Sequence, residues 1–331
     1  MARKRELSRG CMLCHRGGKM VLFVTGLCPR TCWYCPLSSE RKGRDVIYAN
    51  ERLIQTPDDA EAVARLMSAL GTGITGGEPL AVIDRVITFS KRLKQVFGDS
   101  HHIHLYTGKA PDEDTLRDLR GLVDEIRMHP PHDIWGRVAE SPYRDSAVLA
   151  REMGFSIGVE VPSLPGTGDL SSILHYLDFL NINELEWGET NAEAMRERNM
   201  VLEDGIHNAV RGGRGWAGDL LNHPRVHWCS SSFKDSVQLR KRLLRVARNT
   251  ARPFDQVTRD GTILYGVLKC VGTVLPPLFE QLDPGMYELK DGAVETAWWV
   301  ITEFSDKMPG EKVIIERYPD RGLVVEVTPV V

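Results

Sequence analysis

A chain of 331 residues, 42% of them hydrophobic, has the length for one large domain and one small one and the apolar content for a sizeable core. The formal net charge of −3 excludes a globally basic nucleic-acid binder, so any contact with a phosphate backbone must be local. No apolar run approaches the roughly 18 residues of a membrane span, and Met1-Ala2-Arg3-Lys4-Arg5-Glu6 lacks the apolar core of a signal peptide, so a cytoplasmic protein with no membrane partner is expected.

Seven cysteines, three of them clustered, suit metal binding in a reducing compartment better than a disulfide framework. Residues 1–19 read as an extension carrying the pair Cys11 and Cys14 ahead of a first strand at residues 21–24. A CxxC pair presents two sulfurs to one metal, and His15 and His227 are near enough in sequence to contribute. One reading is a second site, an accessory iron-sulfur cluster or a structural zinc, made by Cys11, Cys14, Cys229 and one further ligand.

The strand at 21–24 runs directly into Gly26-Leu27-Cys28-Pro29-Arg30-Thr31-Cys32-Trp33-Tyr34-Cys35. The CxxxCxxC spacing is that of a three-thiolate iron-sulfur loop: three sulfurs on one short loop can each reach a different iron of a cubic 4Fe-4S cluster, and the fourth iron keeps no protein ligand. Next, Thr56-Pro57-Asp58-Asp59 starts a helix, with Thr56 as cap, Pro57 at the first helical position and two acids at the positive end of the dipole. Val63, Leu66, Met67 and Leu70 continue it and Gly71 ends it. Further strands are expected at 72–75, 102–106, 125–128, 155–161 and 184–187, with helices near 82–96, 112–122, 143–153 and 169–180. Alternation of this kind predicts parallel strands with outer helices.

The cysteine loop and, some forty residues later, Gly76-Gly77-Glu78-Pro79 resemble the radical S-adenosylmethionine family, in particular its pyruvate formate-lyase activating enzyme-like branch. The resemblance implies a partial (β/α)6 barrel over residues 20–252, with the site at the strand C-terminal ends. It implies a 4Fe-4S cluster on Cys28, Cys32 and Cys35, and S-adenosylmethionine chelated by the open iron. Tyr34 would pack near the adenine, and Gly76, Gly77, Glu78 and Pro79 would hold the amino end of the methionine moiety through backbone groups. Thr107 and Gly108, after Tyr106 on the third strand, would face ribose and methionine, the alternative being an ordinary turn. Arg127, which with His129 ends the fourth strand, would grip a carboxylate with its planar fork, the alternative being a rim ion pair with Asp124 or Glu125. Glu160, within Gly158-Val159-Glu160-Val161-Pro162, would point inward beside the cofactor. The sixth strand ends in the acidic and amide cluster Glu184-Leu185-Glu186-Trp187-Gly188-Glu189-Thr190-Asn191, read as substrate ground or, in part, as helix capping.

Residues 236–248 read as an amphipathic helix with Lys241, Arg245, Arg248 and Arg252 on one face, either a solvated surface or a phosphate-tracking stripe. From residue 253 to 331 the texture becomes that of a small β-rich domain, with strands at 262–271, 296–302, 312–316 and 323–327 and a hairpin turn at 319–322. Cys270 shares a strand face with Leu268 and reads as a small buried hydrophobe. Tyr287, Trp298, Trp299 and Phe304 fill that domain's core or stack on bases.

The resemblance implies reductive cleavage of S-adenosylmethionine to a 5′-deoxyadenosyl radical that takes hydrogen from an unactivated carbon, with an electron donor such as ferredoxin or flavodoxin. An arginine-rich helix beside a terminal β module is similar to the arrangement in radical enzymes that modify transfer RNA. The leading expectation is therefore modification, by methylation or another carbon-based change, of a tRNA nucleoside. The competing class is a protein or peptide modifier such as a glycyl-radical activating enzyme; a third reading is a non-catalytic cluster-binding protein.

Overall fold

The computed structural model describes residues 7–270, 275–320 and 322–331, and the backbone alone of Cys270. The N-terminal hexapeptide, the Cys270 side chain, Val271 of an expected strand and Arg321 of the expected turn lie outside the described residues. By compactness the chain divides into two units, Met1–Arg65 with Ala69–Gln238, and Leu66–Ser68 with Leu239–Val331. The expected α/β class with a β-rich C-terminal part is what is found. Among the described residues no helix is long and apolar enough to cross a membrane.

The first unit is built on one nine-stranded sheet. Its strands are β1 (Lys19–Phe23), β2 (Ile47–Ala49), β3 (Arg52–Ile54), β4 (Gly71–Thr75), β5 (His102–Thr107), β6 (Glu125–Met128), β7 (Ser156–Pro162), β8 (Phe179–Asn183) and β9 (Val226–Cys229), in the order β3-β2-β1-β4-β5-β6-β7-β8-β9. β1 and β4 to β9 run parallel, so their C-terminal ends share one rim; β2 and β3 are an antiparallel hairpin on the β1 edge. The period-2 alternation sorts the side chains. Ile103, Leu105, Ile126, Met128, Ile157, Val159, Leu180 and Ile182 form a fully buried apolar face. The opposite face carries Lys19, His102, His104, Glu125, Arg127, Glu160 and Asn181, all buried too. Helix α1 (Arg9–His15) lies over that polar face: its Gly10 N–H donates to Glu125 Oε2 at 3.0 Å.

Helices α2 (Pro57–Leu66), α3 (Ile83–Phe97), α4 (Glu113–Leu119) and α5 (Pro142–Glu152) fall where the periodicity puts them. Thr56 and Asp59 cap α2 reciprocally, with Thr56 N–H to Asp59 Oδ2 at 2.9 Å and Asp59 N–H to Thr56 Oγ1 at 3.3 Å. The helix stops at Leu66, and Gly71 opens β4 instead of closing the helix, because a Cβ there would strike the His102 carbonyl oxygen of the neighbouring strand.

Three expectations need correcting. The helix expected at 169–180 is a 3-10 run, Thr167–Tyr176, and the strand beside β7 is Phe179–Asn183, not 184–187. Asn181 and Asn183 disguise it: both amides donate to Glu160, at 2.8 and 2.9 Å, so polar residues face inward on a buried strand. β9 and the β2–β3 hairpin were also not expected, being too short to show a period. The parallel set therefore has seven strands, not six.

The second unit is an antiparallel sheet of β10 (Gln256–Val257), β11 (Ile263–Cys270), β12 (Tyr287–Lys290), β13 (Ala293–Thr296), β14 (Gly310–Arg317) and β15 (Val324–Val330), in the order β12-β13-β11-β14-β15 with β10 on β11. Residues expected as a strand at 296–302 are instead a short helix, Trp298–Glu303, whose Val300 and Ile301 enter the core. Tyr287, Trp299 and Phe304 pack against the same core. The helix Arg240–Thr250 does form, but its arginines are not a free stripe: Arg245 donates to the carbonyls of Met67 and Ser68. Arg252 pairs with Asp255, Glu288 and Glu295.

Candidate cluster and cofactor site

Beyond β1 the chain leaves the sheet at the rim of strand C-termini and makes the cysteine loop. Gly26 begins it, its N–H donating to Arg44 O at 2.8 Å while Gly43 N–H returns to Gly26 O at 2.9 Å. A Cβ on Gly26 would collide with the carbonyls of Arg41 and Arg44, so this crossing admits only glycine. Cys28 is exposed and Cys32 and Cys35 are half-buried. Burial pushes the Cys28 thiol up, an Arg30 backbone hydrogen bond opposes it, and Glu78, Cys32 and Cys35 add to the rise.

Gly76-Gly77-Glu78-Pro79 follows β4 and braces that loop from one side. Gly77 N–H donates to Thr25 O at 2.7 Å and Glu78 N–H to Leu27 O at 2.9 Å. A Cβ on Gly76 would sit 2.6 Å from Thr25 O, and one on Gly77 would strike the Leu27 and Gly26 carbonyls. The close neighbour these glycines admit is the backbone of the cysteine loop. Glu78 is 1% exposed and fully engaged: it accepts from Thr107 Oγ1 at 2.7 Å, Leu80 N–H at 3.0 Å and Gly108 N–H at 2.7 Å. Pro79 opens the 3-10 turn Pro79–Val82, where its missing N–H leaves nothing unpaired.

Arg30, between the first two cysteines, braces the loop from a second side. Its guanidinium donates to His129 O at 2.8 Å, to Tyr143 Oη at 2.6 Å and to Gly108 O. Tyr34 is buried, and its hydroxyl lies 3.0 Å from His129 Nε2. His129 Nδ1 lies 3.0 Å from Glu160 O, which can only accept, so Nδ1 carries the proton. Burial holds His129 down at about 4; the ring is neutral and its Nε2 accepts from Tyr34.

The third brace is the segment after β8. Thr190 Oγ1 donates to Leu37 O at 2.6 Å, Asn191 Nδ2 to Tyr34 O at 3.1 Å, and Ser39 Oγ to Glu189 Oε2 at 2.8 Å. Glu186 pairs with Lys234 at 2.9 Å, and Glu184 accepts from Ser231 N–H at 2.9 Å. The acidic and amide cluster read as substrate ground is thus spent on holding the chain, Asn191 on the cysteine loop and not on its own helix N-terminus.

Arg127 is not at the rim. It is 2% exposed beneath α1, bound to Glu125, to Glu160 at 2.6 Å, to Tyr106 Oη at 3.0 Å and to Ser8 Oγ at 3.1 Å. Its whole fork is used internally, so the expected grip on a ligand carboxylate is replaced by a buried ion network. Glu160 belongs to that network: burial raises its pKa, and Arg127 with the Asn181 and Asn183 amides more than offsets this, leaving it below the ordinary range. Thr107 ends β5 and Gly108 follows it, their hydroxyl and N–H directed to Glu78.

Cys11, Cys14 and Cys229 approach the polar face of the sheet. Cys11 Sγ accepts from Asn181 Nδ2 at 3.3 Å and Arg127 Nη2 at 3.5 Å, and the His15 and His227 rings lie 5.6 Å apart. Burial pushes Cys14 to about 11 and Cys229 to about 12. Among the described residues no three Cys, His, Asp or Glu side chains converge on a single metal ion. A cubane asks for a different arrangement, one sulfur per iron, and three accessible thiols on one braced turn fit that demand.

Arg30, Tyr143 and the role of Asn191 escaped the sequence reading. An arginine inside CxxxCxxC was the available signal for the first; the others act across 113 and 157 residues of chain and leave no local pattern.

A family described as a 4Fe-4S single cluster domain matches residues 15–134, and a domain of unknown function matches residues 261–330. The chain is 38% identical over 286 residues to a putative glycyl-radical enzyme activating enzyme of Methanocaldococcus jannaschii, a match covering 80% of this chain and 74% of that protein. Among solved structures it is similar to SuiB of Streptococcus suis bound to S-adenosylmethionine, with TM-score 0.42, 12% identity and coverage of 64% of this chain. It is also similar to SuiB bound to its precursor peptide SuiA, with TM-score 0.43, 12% identity and the same coverage. The chain spans about half the length of these SuiB chains, 50% and 48%.

Proposed function

Because the chain belongs to the radical S-adenosylmethionine family, we propose that it is an activating enzyme that generates a radical on a partner polypeptide, as its archaeal relative is named to do for a glycyl-radical enzyme. Cys28, Cys32 and Cys35 would hold the 4Fe-4S cluster, with S-adenosylmethionine at the open iron and a ferredoxin or flavodoxin as electron donor. The cluster, when bound, would supply the single electron for reductive cleavage of S-adenosylmethionine, the chemistry by which a hydrogen atom would be removed from the substrate. This chain's own residues fix where that happens. Arg30 and Glu78 hold the cysteine loop against the ends of β4, β5 and β6, Asn191 ties it to the segment after β8, and the Tyr34 hydroxyl donates to neutral His129. Holding reacting groups in register is the protein's share of such chemistry.

The observation that carries the reading is the braced CxxxCxxC loop at the rim of a parallel sheet, in a chain 38% identical to a protein named as an activating enzyme. The transfer-RNA reading has lost its main support, since Arg245 and Arg252 are tied to carbonyls and carboxylates of their own unit. The test is anaerobic reconstitution with iron and sulfide of wild type and of a Cys28→Ala/Cys32→Ala/Cys35→Ala variant, with cofactor cleavage assayed under reductant. Loss of about four irons, and cleavage in wild type only, is expected. Iron remaining in the variant would point to a second cluster, with Cys11, Cys14 and Cys229 the first ligands to test. Wild type that binds iron and leaves the cofactor intact overturns the proposal.

A further inference from the structure

Trp33 lies between Cys32 and Tyr34 on the cysteine loop, and its outer side lines a cavity of about 580 Å³ with Met200, Val210, Arg198, Arg211 and Trp216. No carboxylate is among the residues that line it. The Arg198 guanidinium lies 4.3 Å over the Trp33 ring, and its ion pair with the exposed Glu197 is long, at 3.6 Å. Arg211 is exposed and makes no side-chain ion pair among the described residues. One wall is the segment 198–211, held in shape by Arg211 N–H to Val201 O at 2.9 Å and Glu203 N–H to Ala209 O at 2.8 Å. That ordered segment exposes apolar side chains: Val201 is 53% accessible, Leu202 42% and Ile206 90%. Apolar residues held in the open beside a concave, aromatic-lined cavity mark a contact surface.

We propose that this groove docks an extended segment of a partner polypeptide that carries a carboxylate next to an apolar side chain, delivering it to the cluster loop. The inference rests on the activating-enzyme reading and names the chemistry of its substrate. Arg211, and Arg198 beyond its long pair with Glu197 and its bond to Ala194 O, offer guanidinium donors to a carboxylate. Trp33, Trp216 and the flexible Met200 offer an apolar socket that adapts to the neighbouring side chain. A nucleic acid is disfavoured by the same residues: a phosphate backbone needs a run of cations, and here two arginines line a cavity whose other lining includes Trp33, Met200, Val210 and Trp216.

The test is fluorescence anisotropy with short labelled peptides, one of glutamate and leucine around a central glycine and one with lysine in place of glutamate, on the full-length reconstituted protein. Wild type should bind the acidic peptide in preference, and Arg198→Glu/Arg211→Glu should bind it roughly ten-fold more weakly and reverse the preference toward the lysine peptide. Val201→Asp, at an exposed position, should weaken the acidic peptide alone. Equal affinity for both peptides, no binding of either, or tighter binding of a labelled single-stranded RNA would overturn the proposal. Cofactor cleavage by wild type without peptide reports on the activating-enzyme reading alone. Cleavage with no peptide preference would sink the groove and spare that reading; peptide preference without cleavage would do the reverse.

Discussion

The Glu78 carboxylate accepts the Thr107 hydroxyl at 2.7 Å, and through this bond the end of β4 is tied to the end of β5 directly beneath the cysteine loop. Glu78 has three donors, and its own N–H is held by Leu27. The residue acts as a bracket for the site.

Glu78→Ala should therefore strand the buried Thr107, Leu80 and Gly108 donors and cost about 2 kcal/mol of stability or more. Glu78→Gln keeps one acceptor oxygen and should cost less. Urea unfolding of both variants beside wild type measures the order; an alanine variant as stable as wild type would remove the bracket.

Arg30→Ala takes away the loop's ties to His129, Gly108 and Tyr143 and leaves the sheet intact. We expect a reconstituted protein that unfolds near the wild-type urea midpoint but loses iron faster on gel filtration. Arg30→Lys should rescue little of this, because a single ammonium cannot reproduce a fork with three acceptors. Iron retention equal to wild type counts against the brace.

Arg127→Met should be among the most damaging single changes, since it takes from the buried Glu125 and Glu160 the guanidinium that pairs with both. A penalty of roughly 3–5 kcal/mol is expected. Pairing it with Glu160→Gln should recover part of the loss, a coupling that a double-mutant cycle reads directly.

Acid should destabilise the fold through its buried histidines. Burial, as the largest cause, holds His101 at about 4 and His102 at about 3, and holds His104 well below the ordinary value of 6.5. As pH falls from about 6.5 the unfolded chain takes up protons that the folded chain refuses, so stability drops by up to about 1.4 kcal/mol per pH unit for each ring. Above that range these three rings are neutral in both states and contribute no slope, and the remaining dependence comes from Lys19, which burial lowers to about 7. Urea midpoints at pH 8, 6.5 and 5 should fall throughout, the upper interval through Lys19 and the lower through the histidines, and His101→Phe, beside Phe97, should shallow the lower interval alone.

Much of the site was open to reading from the chain alone. Cysteine spacing, a glycine pair and a capped helix start are local chemistry, each set within a few residues, so the loop 28–35, the segment 76–79 and helices α2 to α5 could be placed without coordinates. The strands facing water-free polar partners could not. Asn181 and Asn183 look like turn residues until Glu160, some twenty residues away, is seen to accept both amides. Arg127 looks like a rim residue until α1 covers it and Glu125 and Glu160 surround it. The amide of Asn191 meets the cysteine loop across 157 residues. Spacing along the chain marks the candidate ligands, whereas which charged or amide group meets which is settled only when the parallel strands bring distant residues onto one face, where burial favours paired polar groups.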